Sequence, residues 1–301
     1  MRWRRLSPYV WIAPAVAALI GFLFYPIFFS TTLSLFDWNG YTQTPFANFV
    51  GLGNFIRLAQ DARFYHALEN TLLFTLFAIT VQIGLALALA VFIYLGEFRG
   101  SSLLRAAIFF PSVLSAVVVA LTWRHVVFLR GGLIHQFTTA AGLPDFFPLG
   151  DPNQAFLAII FVAIWQGVGF NLVIFYAGLQ SLEREITEAA QIDGAGFWQL
   201  IRRVIMPLQA HLILVSVILN LIGGLQVFDL VFVFSKGPMA ATHATDVLAT
   251  YMVFNSFAGS STGGGGGKSQ LGYAAAIAVV MMILMLIFSL LRTRARRAID
   301  Y

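Results

Sequence analysis

Six long apolar runs constrain this chain more than any other feature. A helix that crosses a bilayer needs about 20 mostly apolar residues. Stretches at approximately 10–36, 69–95, 103–129, 154–180, 209–235 and 271–291 meet that requirement. Only 10% of the 301 residues are charged and 59% are hydrophobic, whereas a soluble domain carries roughly 25% charge. The expectation is an all-α integral membrane protein with six transmembrane helices, organised as a single membrane domain over residues 1–301. Counting domains by length does not apply to such a chain. The first run is too long for a signal-peptide core and shows no small-residue cleavage site, so it reads as retained. The third holds Pro111 and, near its end, Arg124. Proline is tolerated in a membrane helix because neighbours can re-satisfy the freed carbonyl.

Orientation follows from the basic residues. With the N-terminus inside, the inner segments carry Arg2, Arg4, Arg5, Arg99, Arg105, Arg184, Arg202, Arg203, Arg292, Arg294, Arg296 and Arg297. The outer ones carry Arg57, Arg63, Arg124, Arg130, Lys236 and Lys268. An excess of positive charge marks the cytoplasmic side, so both termini are expected in the cytoplasm. The net charge of +5 invites a nucleic-acid reading, but these clusters flank apolar runs and are explained by topology. The C-terminal cluster Arg292–Arg297 reads as a stop signal anchored to anionic membrane lipid.

The outer loops are modest. Trp38-Asn39-Gly40 reads as a turn, and Thr245 to Phe257 as a short surface helix. No loop is large enough to be an independent domain, so any source of power lies in another chain. The Gly263–Gly267 run before Lys268-Ser269 hints at a phosphate loop, but Thr262 stands where that pattern requires glycine, and no strand precedes it. A flexible outer loop is the simpler reading.

One polar segment, residues 181–207, interrupts the apolar pattern on the inner side. Ser181 suits a helix N-cap, and Glu183 and Glu185 suit the first turn, where the helix dipole favours acids. Glu188, Ala189 and Ala190 follow on the same helix. Asp193-Gly194-Ala195-Gly196 breaks it. Phe197 to Ile205 resumes a helix, and Pro207 precedes the fifth span. Small Ala189 and Ala190 allow close approach to a partner groove, with Glu188 at its rim. An ordinary connecting loop has the same helix–glycine–helix pattern, and the residues alone leave both readings open.

Polar residues also occur at membrane depth. Asn220, Gly223, Gln226 and Asp229 step by three along the fifth span, on one slowly drifting face. Gln166, Gly167, Phe170 and Asn171 cluster on the fourth. Charge at that depth normally faces a cavity or a partner. A sugar path would use amides for hydroxyls and Trp165 or Phe170 for stacking. Interhelical packing uses the same small and amide residues.

Other chemistry is excluded. The chain has no cysteine, hence no disulfide or thiolate metal site. His66, His125, His135, His211 and His243 have no metal spacing. There is no nucleophile with a base and no paired carboxylates in a cleft. No metal, cofactor or catalytic residue is expected, and a membrane-embedded enzyme lacks its reactive constellation. A transporter working alone would show internal repeats, and none is evident.

The pattern Glu188-Ala189-Ala190, three residues, Gly194, nine residues, Val204-Ile205-Met206-Pro207 resembles the signature loop of permease subunits of binding-protein-dependent ABC importers. The usual form has Ile at the position of Val204 and Leu at that of Met206. Tyr25-Pro26 with Leu33-Ser34-Leu35-Phe36-Asp37 resembles the first span of carbohydrate permeases. Phe49 to Phe55 and Asn70-Thr71 resemble the approach to their second. Gln226-Val227-Phe228-Asp229 with Gly237-Pro238 resembles the end of their fifth. The Gly-rich run before Leu271-Gly272-Tyr273-Ala274-Ala275-Ala276 is similar to the maltose/maltodextrin subunits in particular. In those, sugar contacts come from the fourth and fifth spans. Gly167 matches one contact position, Phe170 replaces another aromatic, and Ala163 and Gly223 stand where that family has asparagines. The large outer domain of some maltose permeases has no counterpart here.

The resemblance implies a multi-pass subunit of a prokaryotic inner membrane that pairs with a second permease subunit. It implies an extracytoplasmic solute-binding protein outside and two copies of an ATP-binding subunit inside, each gripping a loop such as 181–207. Glu188, Ala189, Ala190, Gly194 and Pro207 would carry that coupling. The cargo would be a carbohydrate of the maltose/maltodextrin kind or another oligosaccharide. Glycerol 3-phosphate or another polyol is the alternative, though a phosphate needs a buried cation, and only Arg124 qualifies.

Overall fold

The computed structural model describes residues 2–42, 44–96, 99–129, 131–143, 148–182, 184–235, 243–257 and 269–299. Glu183, Gly237-Pro238, the Gly263–Gly267 run and Lys268 fall outside them. Among the described residues the chain is helical, with no strand and one isolated bridge, Phe36 to Phe49. Five helices are long and apolar enough to cross a membrane, or six if one sharply bent pair counts as a span.

The elements run in order α1 (Trp11–Leu33), α2 (Gly53–Ala59), α3 (Ala62–Gly96), α4 (Ser101–Val113), α5 (Ala116–Val127) and α6 (Leu133–Ala140). Then come α7 (Pro152–Gln180), α8 (Arg184–Ile192), α9 (197–208), α10 (Ala210–Leu225), α11 (Asp229–Phe234), α12 (Leu248–Ser256) and α13 (Leu271–Ile299). The 35 residues of α3 correspond to about 52 Å of helix, which exceeds the roughly 30 Å of hydrocarbon.

The single helix expected over 103–129 is instead two. Helices α4 and α5 meet at 97°. Leu114 and Ser115 leave helical geometry, with ψ of 145° and 134°. The carbonyl thus freed at Leu114 accepts a 3.0 Å hydrogen bond from the side chain of Gln166 on α7. Below the bend α4 lies close against α7. A Cβ on Gly169 would strike the Ile108 carbonyl and sit 2.7 Å from the Phe109 Cα, so only glycine fits this crossing.

The chain divides into two compact units by its contacts. The unit of residues 65–250 is built around α7. Its apolar side chains form two clusters. In one, Phe156, Ile159 and Val162 pack with Leu230, Val231 and Phe234 of α11 and with Val119 and Ala120 of α5. In the other, Leu172, Phe175 and Leu179 pack with Ala86, Ala90 and Val91 of α3 and with Leu200 and Ile205 of α9. Asn70 and Thr71 hold the approach to α12, through Asn70 Nδ2 to the Ala244 and Asp246 carbonyls (3.0 and 2.9 Å) and the Leu248 N–H to Thr71 Oγ1 (2.9 Å).

The other unit comprises residues 1–64 and 251–301. Asn54 Nδ2 donates to the Ser34 and Phe36 carbonyls, tying α2 to the end of α1. Gly272 lies against the Phe36 carbonyl, where a Cβ would collide. The turn expected at Trp38-Asn39-Gly40 is present, with Asn39 Oδ1 accepting from the Tyr41 and Thr42 N–H groups. One oxygen of Asp61 accepts from the hydroxyls of both Tyr251 and Tyr273. The Arg57 guanidinium lies 4.7 Å from the Tyr273 ring centre. Burial raises the Asp61 carboxyl, but the two phenols and the Arg63 and Phe64 N–H groups outweigh it and leave it below the usual carboxylate range.

Candidate functional site

A cavity of about 430 Å³ opens among α3, α4, the start of α5, α7, α10 and α11, a size typical of small-molecule sites. Four amides reach its wall, namely Gln82, Gln166, Asn220 and Gln226, together with the hydroxyl-bearing Ser112. Phe74, Phe170 and Phe228 supply aromatic faces.

A chain of hydrogen bonds fixes the amides. Gln82 Nε2 donates to Asn220 Oδ1 at 2.8 Å. Asn220 Nδ2 donates to Asn171 Oδ1 at 3.0 Å and to the Ser216 carbonyl at 2.9 Å. Asn171 Nδ2 reaches the Gly167 carbonyl at 3.4 Å. The network thus links α3, α10 and α7. It has room because residue 167 is glycine, for a Cβ there would lie 2.5 Å from Gln82 Nε2. Gln82 ends a wider helical turn, Ala78–Gln82, a local π-bulge of the kind frequent at functional sites.

Of the residues expected along a path, Gln166, Gly167, Phe170, Asn220, Gly223, Gln226 and Asp229 all line this cavity. Asn171 does not. It is 1% exposed and supports Asn220 from behind. Trp165 also turns away, packing edge-on against Trp123 at 5.3 Å. The three-residue stepping on the fifth span survives although the helix does not, because Gln226 to Phe228 are non-helical between α10 and α11. Non-helical backbone at membrane depth is tolerated where it faces a cavity, and these three residues line one. Gln82 escaped the sequence reading. The signal was present, since it is an amide in the middle of the apolar run 69–95.

Arg124 is not part of this wall among the described residues. Its Nη1 donates to the Val233 carbonyl at 2.7 Å, near the end of α11.

The polar segment forms the expected helix, break and helix, with two corrections. Helix α8 begins at Arg184, and Ser181 does not cap it, since its hydroxyl donates to the Gly178 carbonyl at 2.7 Å. The second helix extends past Ile205 to residue 208, through a π-turn at Ile201–Ile205. At the break Gly194 has φ +82°, and the Ala195 N–H returns to the Ala190 carbonyl at 2.9 Å. That six-to-one bond around a left-handed residue is a Schellman C-cap, for which glycine is the favoured residue. Glu188 and Ala189 are exposed and Ala190 half-buried. Leu200 and Ile205 anchor the segment in the core below. Ile192 and Trp198 are 86% and 78% exposed, and Phe197 packs against Trp198 at 5.7 Å. Pro207 is the second residue of the last short turn, Met206–Leu208.

Residues 82–301 match the model of a family described as binding-protein-dependent transport system inner membrane component. The chain is 33% identical over 263 residues to a probable ABC transporter permease protein of Bacillus subtilis, covering 86% of this chain and 88% of that one. It is 33% identical over 254 residues to a lactose transport system permease protein of Rhizobium radiobacter, covering 83% of each. A chain of a bacterial alginate ABC transporter, solved in complex with alginate pentasaccharide-bound periplasmic protein, shares the fold with a TM-score of 0.81 at 22% identity, covering 99% of this chain and 97% of that one.

Proposed function

The chain belongs to the binding-protein-dependent transport system inner membrane components, multi-pass proteins of the inner membrane, and from that membership we propose that it is the permease subunit of a sugar importer. The observation that carries the cargo is the cavity, whose hydrogen-bonded amides and phenylalanine faces suit a neutral, polyhydroxylated solute. The lactose permease of Rhizobium radiobacter lends support to a sugar, and an oligosaccharide of the maltose/maltodextrin kind remains our choice.

The two compact units act as one membrane domain with both termini in the cytoplasm. A second permease subunit completes the path across the membrane. An extracytoplasmic solute-binding protein delivers the sugar, and a dimer of ATP-binding subunits drives translocation, so this chain hydrolyses nothing itself. Residues 181–207 are the contact with that ATPase. Their side chains Ile192, Phe197 and Trp198 are apolar and exposed, which water disfavours and a partner groove would cover. Glu188 offers a charge at its rim, while Leu200 and Ile205 carry force into α3 and α7.

The experiment is mild solubilisation of the native complex, identification of the co-purifying chains, and sugar uptake by the reconstituted assembly. The expected result is a second permease and an ATP-binding chain, with uptake that needs ATP and the binding protein. Uptake by the purified chain alone would overturn the reading.

A further inference from the structure

Among the described residues that line the cavity, one bears an acidic or basic side chain, and it is the carboxylic acid Asp229. Asp229 begins α11 immediately after the non-helical stretch 226–228, is exposed, and faces the same space as Gln82, Gln166, Asn220 and Gln226. No hydrogen bond or ion pair ties its carboxylate among the described residues. The cation that could have balanced it, Arg124, is directed to the Val233 carbonyl. A charge at membrane depth is costly to keep, and low-dielectric walls focus its field into the space they enclose.

We propose that Asp229 is a charge filter that makes the cavity selective for neutral or amino-bearing sugars over sugars that carry a carboxylate or phosphate. The inference rests on reading the cavity as the sugar path. The amides bond hydroxyls of either class equally well, so they do not discriminate. The carboxylate does. Like charges about 6 Å apart at an effective dielectric of about 20 separate the two classes by roughly a hundredfold. Exclusion of the wrong solute by a repulsive element is an ordinary route to specificity. Phosphorylated polyols thereby become the disfavoured cargo.

The absence of cysteine makes the field measurable without any cargo. Gly223 lines the cavity, and a Cβ added there meets no atom within 4 Å, so Gly223→Cys places a single thiol in the space. Ala163→Cys on α7 is a second reporter in the same wall. In the assembled complex, the thiol is reacted with a cationic and an anionic methanethiosulfonate of similar size, each rate normalised to that of a free thiol. The ratio cancels any effect of the field on thiolate formation, which slows both reagents alike. With Asp229 present the cationic reagent is expected to be favoured at least about tenfold. Asp229→Asn should bring the ratio close to one, and Asp229→Glu should retain it. No cationic preference at either reporter with Asp229 in place, or the same preference after Asp229→Asn, would overturn the proposal. A failed sugar reading is distinguishable, because uptake would then be absent while the preference persisted.

Discussion

Gly167 shows how one missing Cβ organises the cavity. An alanine there would press within 2.5 Å of Gln82 Nε2 and push that amide off Asn220. Overpacking of this kind costs about 1–3 kcal/mol. Gly167→Ala is therefore expected to lower the thermal stability of the complex by that amount, and Gln82→Ser on the same chain to recover most of it. Additive losses in the double variant would contradict the contact. Asp61 gives a prediction in pH. Its carboxyl is held below the usual range, so folding favours its ionised form. The stabilisation is complete above its unfolded value of about 3.9 and is lost as pH falls through the lowered folded value. Thermal unfolding of Asp61→Asn should accordingly show a flatter acid limb than the unsubstituted chain. An identical acid limb would dismiss the role of the two tyrosines.

Helix α8 with its Schellman turn is the element on which coupling is proposed to depend. Gly194→Pro removes the left-handed cap, since proline fixes φ near −65° against the observed +82°. Glu188→Lys reverses the exposed charge beside Ala189 without touching the core. Both variants are expected to reach the membrane and to lose uptake, as measured in cells and by blotting of membrane fractions. Normal uptake by either would discredit the segment as a handle. The bent pair α4 and α5 illustrates what an element can hide from its sequence. Pro111 was visible, yet the break comes at Leu114 and Ser115 and is sustained by Gln166, a partner 52 residues away that no local pattern reveals. The interruption at 226–228 was hidden for the same reason. Those residues read as part of a continuous fifth span, and what lets the backbone open there is a cavity assembled from six helices.

Across the molecule, what was legible is what depends on composition and period. Long apolar runs located α1, α3, α7, α10 with α11, and α13. Glycine chemistry located the break at 194. The stepping of Asn220, Gly223, Gln226 and Asp229 marks one wall of the cavity, and Gln82, an amide in the middle of the second span, marks another by the same cost of polarity at membrane depth. Asn171 was misjudged because its pattern matches a lining residue while its burial makes it a support. The two compact units are proposed to work as one permease only within a larger assembly, and the polar segment is the proposed point of purchase. The most direct test places Ala189→Cys on this cysteine-free chain and exposes the native membrane complex to a short thiol cross-linker. The expected product is an adduct with an ATP-binding chain, formed only when reagent reaches the cytoplasmic face and altered by ATP. Modification of that cysteine from the opposite face, or an intact transporting complex that yields no adduct with such a chain, would contradict the account.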